Sequence, residues 1–231
     1  MLPSKLYKKL QGEYGKQNWW PVTEQGKTKP EYKKRKNLTE KQKLEVCFGA
    51  ILTQNTSWKN VEKAIIQLNK KNLIDAEKIL KTRKETLAET IKPAGYFNQK
   101  TVYLKEFCKH LKKYNYSVNS FFSSSLDLRE KLLSVKGIGK ETADSILLYS
   151  AGKPFFVVDA YTKRIVSRIN GEQEKSYDEL QQFFHKGLKK DAGLFNEFHA
   201  LFVEHAKQFC RKKPVCKNCF LKKECVFGQV F

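Results

Sequence analysis

The stretch LSVKGIGKETA, residues 133–143, decides the fold of this chain. Gly137 and Gly139 flank one aliphatic residue and a helical run follows them, so the stretch predicts a tight turn at the start of a helix. Glycine lets the backbone approach a phosphate closely, while the free amides at the helix start and the flanking lysines attract its negative charge. A simple helix–turn–helix connection shares the Gly-x-Gly pattern, but the leucines and lysines around it favour a helix–hairpin–helix.

The chain is strongly basic, with 45 lysines and arginines against 24 acidic residues and a formal net charge of +21. Lysines that neutralise phosphates release condensed counterions, so this excess predicts a polyanionic partner, although a soluble protein from a lysine-rich proteome would also show it. Only six of the 45 are arginine, which favours attraction to a backbone over bidentate reading of bases. Charge alone does not separate DNA from RNA or an acidic membrane.

The composition is that of a folded, soluble protein. The 231 residues are 40% hydrophobic and 13% aromatic, which is enough to build a core and argues against disorder. No apolar stretch approaches the roughly 20 residues that span a bilayer, and residues 1–17 lack the continuous apolar core of a secretion signal. We therefore expect a cytoplasmic monomer without a membrane partner, folded as one large domain or two small ones.

Apolar residues recur at helical spacing along most of the chain, which predicts an all-α protein. Capping-box signatures at residues 39–42 and 176–179 predict two helix starts. Residues 154–158, PFFVV, are β-branched and aromatic, but no other convincing strand is present to pair with them. They predict an extended connector between helices, and the lysine-rich residues 26–36 predict an exposed loop.

Asp159 follows this apolar connector and precedes another helical run. An aspartate in that position is usually a helix N-cap. A carboxylate at a helix N-terminus also stays ionised in a cleft, because the helix dipole and the free amides favour its charged form. Such a group can stabilise a cationic sugar or orient a water molecule, so Asp159 is the candidate catalytic residue, and the capping role is compatible with that function.

Four of the six cysteines lie within the last 22 residues, whereas Cys47 and Cys108 stand alone in helical patterns typical of buried hydrophobes. A tight cluster without a secretion signal indicates metal binding rather than disulfides. Zinc and a [4Fe–4S] cluster both suit four thiolates, and a loop without metal is the further alternative. The surrounding lysines predict contact with a phosphate backbone. The candidate ligands are Cys210, Cys216, Cys219 and Cys225.

The hairpin, the spacer with Gly152 and Pro154, and Asp159 together resemble the helix–hairpin–helix-GPD DNA glycosylases, the relatives of endonuclease III. The resemblance extends from about residue 44 to residue 225. It implies double-stranded DNA with a damaged, flipped-out base as the partner, DNA bound between two helical lobes, and Asp159 at the mouth of the groove. It also favours a [4Fe–4S] cluster over zinc, although the first two cysteines lie one residue closer together than in the endonuclease III loop.

The resemblance also implies how the chain is divided and which residues contact DNA. It places a six-helix lobe with the hairpin in residues 40–152, and a second lobe in residues 1–39 and 153–231 with the cysteine loop at 209–226. In residues 52–56, LTQNT, Gln54 matches a glutamine that enters the duplex where the base has left. The implied DNA-binding residues are Lys136, Gly137, Ile138, Gly139, Lys140 and Gln54.

Glu141 is an informative departure from part of this family. Members that also cleave the DNA backbone carry a lysine at that position as a Schiff-base nucleophile. The adjacent Lys140 is turned by about 100° around the helix and does not substitute for it. We therefore expect a monofunctional glycosylase that hydrolyses the N-glycosidic bond and leaves an abasic site.

The tryptophans indicate which class of damaged base the chain binds. Electron-rich rings attract a cationic alkylated purine, although adjacent tryptophans also serve as hydrophobic plugs. The Trp-Trp-Pro element, the LTQNT segment followed by an aromatic residue, and the GIGKETAD stretch together resemble the 3-methyladenine DNA glycosylase III branch. The chain departs from that branch in carrying the four clustered cysteines. Lys207 matches a pocket lysine of that branch and would otherwise be an ordinary surface lysine. The implied base-pocket residues are Trp19, Trp20, Pro21, Trp58 and Lys207.

Two further functions remain open from the sequence. One is a bifunctional glycosylase and lyase that acts on oxidised pyrimidines, against which Glu141 argues. The other is a non-catalytic module that binds particular DNA structures, because helix–hairpin–helix turns also occur in proteins that only bind.

Overall fold

The computed structural model describes residues 1–33, 35, 37–124 and 127–230. The chain forms two compact units. Trp20–Lys153 contains the helix–hairpin–helix and is called the hairpin unit. Met1–Trp19 together with Pro154–Phe231 contains the four clustered cysteines and is called the cysteine unit.

The regular secondary structure of the described residues is helical except for two strands of two residues each. None of the described helices is both long and apolar enough to cross a membrane. The α-helices are α1 (Pro3–Tyr14), α2 (Glu40–Leu52), α3 (Trp58–Lys70), α4 (Ala76–Lys81), α5 (Lys84–Ile91), α6 (Phe97–Lys112), α7 (Val118–Ser123), α8 (Leu128–Leu133), α9 (Lys140–Ser145), α10 (Ala160–Asn170), α11 (Tyr177–Gly187), α12 (Ala192–Gln208) and α13 (Val226–Gln229). The strands are β1 (Val22–Thr23) and β2 (Pro30–Glu31).

The hairpin unit begins at Trp20 and not at residue 40 as expected, because the chain before α2 packs onto that helix. The backbone amide of Thr23 donates to Glu45 of α2 over 2.7 Å, and the side chain of Gln42 donates to the Thr23 carbonyl over 3.2 Å. β1 and β2 pair antiparallel within this segment. The predicted loop at residues 26–36 therefore contains a strand, which is too short to show an alternating pattern.

Helix α2 is the centre of the hairpin unit and is buried along most of its length. Its start is confirmed as a capping box, in which Thr39 accepts from the Gln42 amide and the Gln42 side chain accepts from the Thr39 amide. Eight α-helical segments lie in the described part of this unit, where the resemblance implied six. Four of these segments, α4, α7, α8 and α9, have only six residues each.

The cysteine unit has an aromatic core built on the predicted connector. Phe156 stacks on Phe184 with 3.9 Å between ring centroids and meets three further phenylalanines edge-on. Its backbone amide donates to His185 Nε2 over 3.0 Å, and Gln181 donates to its carbonyl over 2.8 Å. These side chains satisfy backbone groups that a sheet would otherwise pair. The extended connector and the all-α fold are thus confirmed, and the second capping box, at Ser176, is present too.

The helix–hairpin–helix consists of α8, the turn at residues 134–139 and α9. Gly137 has a φ of +89°, and an added Cβ would lie 2.1 Å from a ring carbon of Tyr103. Arg129 of α8 and Asp144 of α9 form two hydrogen bonds of 2.7 and 3.1 Å, and the side chain of Asp144 is fully buried. The turn is therefore closed by a left-handed glycine and held by a partly buried ion pair.

The two hairpin glycines should differ in their tolerance of a side chain. Gly137→Ala should lower the free energy of unfolding by about 2 kcal/mol or more, because alanine disfavours this φ and its methyl group meets the Tyr103 ring. Gly139 has a φ of −93° and no atom within 4 Å of an added Cβ, so Gly139→Ala should cost about 1 kcal/mol or less. Denaturant unfolding of both variants measures the difference, and equal losses would contradict this account of the turn.

Candidate functional site

Gln54 ties the loop after α2 to the hairpin. Its side-chain amide donates to the Gly137 carbonyl over 2.8 Å and to the Thr142 hydroxyl over 3.0 Å. The residue that the sequence analysis expects to enter the duplex is thus turned toward the hairpin in this structure. The next residue, Asn55, is exposed and has a left-handed φ of 52°.

Lys100 joins the same loop to the glycine-containing turn before α6. Its amine is buried and donates to the Leu52 carbonyl and to the Ala94 carbonyl, both over 2.8 Å. Burial lowers the pKa of Lys100 to about 8. Tyr96, in this turn, has a φ of 47° and is 64% exposed. Lys100 was not predicted as a site residue from the sequence, although it lies four residues before the buried Leu104 and so shares its helix face.

The hairpin presents positive and negative side chains around its turn. Lys136, Lys140 and Glu141 are exposed, and Gly139 is the N-cap of α9. Ile138 is buried instead, with 5% of its surface exposed. Ile138 therefore anchors the turn in the core, which leaves the glycine backbone and the lysines as the groups that an anion can reach.

Asp159 is the N-cap of α10, as its sequence position suggests. One carboxylate oxygen accepts from the amide and hydroxyl of Thr162 over 2.7 and 2.9 Å. The other oxygen lies 3.5 Å from His199 Nε2 of α12, a neighbour that the sequence analysis did not identify. The side chain of Asp159 is 13% exposed, so a small part of it reaches the surface.

The surroundings of Asp159 favour its ionised form. Burial on its own raises the pKa of Asp159, but the interaction with His199 and the hydrogen bonds from Thr162 outweigh burial, so the pKa lies below its usual value. The N-terminus of α10 adds a favourable helix dipole. The site thus holds a partly accessible carboxylate that is charged at neutral pH, and such a group can stabilise positive charge or orient a water molecule.

Two of the predicted pocket tryptophans come together in the hairpin unit. Trp20 packs edge-on against Trp58 with 5.1 Å between ring centroids, and it lies at the same distance from Tyr149. The ring of Trp20 also contacts α2 at Gly49, where an added Cβ would lie 3.0 Å away. Tyr149 was missed because it lies within an apolar run that predicts only a core helix.

The other three predicted pocket residues are divided between the two units. Pro21 is buried in the hairpin unit. Trp19 and Lys207 belong to the cysteine unit, where Trp19 is half-buried and Lys207 is exposed near the end of α12.

The four clustered cysteines line one cavity in the cysteine unit, and none forms a disulfide. Its other walls are largely apolar and include Ile165, Ile169 and Phe227. Among the described residues, no group of three or more His, Cys, Asp or Glu side chains is placed to hold a metal ion. Side-chain nitrogens approach two of the sulfurs: Arg168 donates to Cys210 over 3.4 Å, and His205 Nε2 lies 3.9 Å from the sulfur of Cys219.

His205 is a buried, neutral histidine beside the cysteine cavity. Burial lowers the pKa of His205 to about 4, so the ring carries no charge at neutral pH. Its Nδ1 lies 2.9 Å from the Tyr14 hydroxyl of α1. Burial and the nearby Cys219 raise the pKa of Tyr14 well above its usual value, so this hydroxyl keeps its proton.

Comparisons with known proteins identify the family. A model of the HhH-GPD superfamily of base excision DNA repair proteins matches residues 48–190. A relative from Methanocaldococcus jannaschii, assigned by its name to the DNA repair glycosylases, is 46% identical over 227 residues, which are 96% of this chain and 94% of its own.

Solved structures agree with this relationship. H. pylori 3-methyladenine DNA glycosylase (MagIII), bound to 1,N6-ethenoadenine, is 30% identical and aligns with a TM-score of 0.73 over 90% of this chain and 98% of its own. An endonuclease III in a non-covalent complex with DNA aligns with a TM-score of 0.78 over 100% of this chain and 98% of its own. At 17% identity, the second match shows a shared fold.

The lowered pKa of Asp159 should appear as a dependence of stability on pH. Because the folded-state pKa lies below the unfolded value of about 3.9, the ionised carboxylate stabilises the fold above about pH 4 and loses this effect as the pH falls through the folded-state pKa. Asp159→Asn should therefore be less stable than wild type near pH 5, and the gap should shrink below pH 4. Urea unfolding of both proteins across this range measures the gap. A gap that widens on acidification would show that the native carboxylate is not favoured in its charged form.

Proposed function

Because the chain belongs to the HhH-GPD superfamily of base excision DNA repair proteins, we propose that it is a DNA glycosylase that hydrolyses the N-glycosidic bond of a damaged base, with Asp159 as its catalytic residue. The observation that carries the proposal is the carboxylate of Asp159, which is ionised, held at the start of α10 and still partly accessible. A module that only binds DNA does not need such a group.

The proposed chemistry uses the charge of Asp159 directly. As the base leaves with the bonding electrons, positive charge develops on the sugar, and a nearby carboxylate stabilises it. Thr162 binds one oxygen, so the carboxylate keeps a fixed orientation, while the other oxygen faces His199. This second oxygen is suited to accept a proton from the water that attacks the sugar.

The proposed partner is double-stranded DNA that contains a damaged base. The net charge of +21 supplies attraction to phosphates at any sequence. In the hairpin, the exposed Lys136, Lys140 and the N-terminus of α9 form a local anion-binding surface. Lys100 and Gln54 keep the adjoining loops beside this surface by hydrogen bonds to their backbone. The base itself is reached by flipping it out of the duplex, which exposes it to the enzyme.

The hairpin also supports hydrolysis without strand cleavage. Glu141 is exposed on the first turn of α9, at the position where a lyase of this superfamily carries its lysine. A carboxylate cannot form a Schiff base, and Lys140 leaves the helix in a different direction. The product is then an abasic site, and the DNA backbone remains intact.

The proposed substrate class is alkylated purines such as 3-methyladenine. A base alkylated on its ring carries positive charge, which aromatic faces attract by about 1–2 kcal/mol when desolvated. Trp20, Trp58 and Tyr149 form an electron-rich cluster suited to such a base. The 30% identity to a 3-methyladenine DNA glycosylase supports the same class. We keep Trp19, Pro21 and Lys207 as further candidate pocket residues.

The proposed cofactor is a [4Fe–4S] cluster held by Cys210, Cys216, Cys219 and Cys225. Four thiolates on one zinc ion, at about 2.3 Å each, converge on a single point, whereas the four-iron core spreads them around a larger volume. The four cysteines line one cavity with largely apolar walls, and none of them forms a disulfide. This arrangement suits the larger group, which would supply structure to the loop and would leave catalysis to Asp159.

Replacing the carboxylate separates catalysis from helix capping. Asp159→Asn should abolish release of 3-methyladenine, because the amide still caps α10 but carries no charge, and it should retain most of the affinity for abasic-site DNA. Asp191→Asn is the matched control, since Asp191 caps α12 through a 2.7 Å hydrogen bond and is exposed. Base release on alkylated duplex DNA and binding to an abasic-site duplex are the two measurements. Persistent release by Asp159→Asn, or an equal loss in both variants, would refute the catalytic assignment.

Borohydride treatment tests the absence of an amine nucleophile. Wild-type protein that is turning over damaged DNA should yield no more covalent protein–DNA adduct than Asp159→Asn, because no lysine occupies the position of Glu141. Denaturing gel electrophoresis measures the adduct, and a known bifunctional glycosylase serves as the positive control. A good yield of adduct would overturn the monofunctional mechanism, and its loss in Lys140→Ala would then identify the amine.

A further inference from the structure

His205 of α12 connects the first helix of the chain to the cysteine cavity. Its Nδ1 lies 2.9 Å from the hydroxyl of Tyr14 at the end of α1, and its Nε2 lies 3.9 Å from the sulfur of Cys219. The histidine is 2% exposed. The rings of Phe209 and Phe220 pack at 5.9 and 5.5 Å from it, between centroids. A buried polar side chain with partners on both ring nitrogens has a defined orientation.

The chemistry of the partners decides which ring nitrogen carries the proton. A cysteine that binds a metal is a thiolate, which can accept a hydrogen bond and cannot donate one. The His205 nitrogen that faces this sulfur is Nε2, so the imidazole must present an Nε2–H to Cys219 in order to bond with it. Nδ1 is then an acceptor, and the Tyr14 hydroxyl is the donor that it requires.

Helix α1 is tied to the cysteine loop at other points as well. Lys5 and Lys9 form ion pairs of 2.9 and 2.7 Å with Glu224, the residue before Cys225. The ring of Tyr14 packs edge-on against Phe220, the residue after Cys219, with 5.8 Å between centroids. The helix thus contacts the loop next to two of its four cysteines. Lys5 is largely exposed, so its pair contributes little on its own.

We propose that Tyr14 and His205 are positioning residues of the metal centre, with Tyr14 fixing the imidazole so that its Nε2–H donates to the sulfur of Cys219. This proposal rests on the cofactor proposed above. Partners in the second coordination shell orient a ligand and tune its metal. A hydrogen bond to a ligating sulfur withdraws electron density and favours the reduced state of a cluster, so its loss lowers the midpoint potential.

The two hydrogen bonds that run from Tyr14 through His205 to Cys219 are called the relay. Four variants of the full-length protein test it. Tyr14→Phe removes one hydroxyl and keeps the ring that packs on Phe220. Tyr7→Phe is its matched control, because Tyr7 lies on the same helix and packs against Phe198 instead. His205→Leu removes the donor to Cys219, and His205→Gln supplies an amide N–H in its place. The midpoint potential and the rate of iron transfer to a chelator are measured for proteins of equal iron and sulfide content.

Tyr14→Phe and His205→Leu should lose iron roughly tenfold faster than wild type and have lower midpoint potentials. Tyr7→Phe should match wild type, and His205→Gln should lie between wild type and His205→Leu. Unchanged rates and potentials in Tyr14→Phe with a full complement of iron would overturn the relay and leave the cofactor proposal standing. Tyr14→Phe decides the matter even if His205→Leu fails to fold.

The metal content of the wild-type protein shows whether a negative result contradicts the relay or the proposed cofactor. If the wild-type protein contains stoichiometric zinc, the cluster is refuted, and the rate of zinc release to a chromogenic chelator tests the relay in the same four variants. An unchanged rate in Tyr14→Phe would then overturn it. Wild-type protein that contains neither iron with sulfide nor zinc would overturn the cofactor and the relay together.

Discussion

The turn of the helix–hairpin–helix closes because Gly137 has no side chain between its backbone and the ring of Tyr103. At a φ of +89°, the glycine reverses the chain within a few residues, and Tyr103 packs directly against it. The Arg129–Asp144 ion pair holds the two helices on either side. Once this turn is closed, Gln54 reaches its carbonyl, and the loop after α2 acquires a fixed position. The proposed phosphate-binding surface therefore depends on a packing contact below the turn as much as on the lysines above it.

In each unit, a charged side chain forms hydrogen bonds with backbone groups at the end of a helix, next to a candidate functional segment. Asp159 accepts hydrogen bonds at the N-terminus of α10, where the helix dipole favours negative charge. Lys100 donates to the Leu52 carbonyl at the C-terminus of α2, where the dipole favours positive charge. Both groups are largely buried, and unpaired charges there would be costly. Satisfying the helix end is what allows each charge to remain beside a candidate functional loop.

Much of the fold could be predicted because it follows from local patterns. Helical spacing, the capping boxes at Thr39 and Ser176, and the unpaired connector before Asp159 are each encoded within a few residues. The strand at Pro30–Glu31 was missed because two residues cannot show a period. The N-cap position of Asp159 could be predicted from its place between an apolar run and a helix. Its neighbour His199 could not be predicted, because no local pattern brings a residue of α12 to the start of α10.

The cysteine loop also shows that local sequence patterns do not reveal contacts between distant parts of the chain. Its spacing predicts four metal ligands, but the surroundings of these cysteines are set by helices elsewhere in the chain, since Tyr14 and His205 are 191 residues apart. The loop itself has only short 3₁₀ turns and few buried side chains. Arg164 and Arg168 of α10 donate to three of its carbonyls, at Cys210, Arg211 and Lys212.

These contacts bear on what a metal would add to the loop. The chain fixes the backbone around Cys210 from α10, and α1 and α12 contact the loop around Cys219. Contacts with the rest of the protein already order much of the loop. Metal binding then has to order less of the chain and costs less conformational entropy. This differs from a small zinc module, in which the metal folds the loop. A loop braced in this way can present its lysines in a stable arrangement, which is the property that a DNA-positioning surface requires.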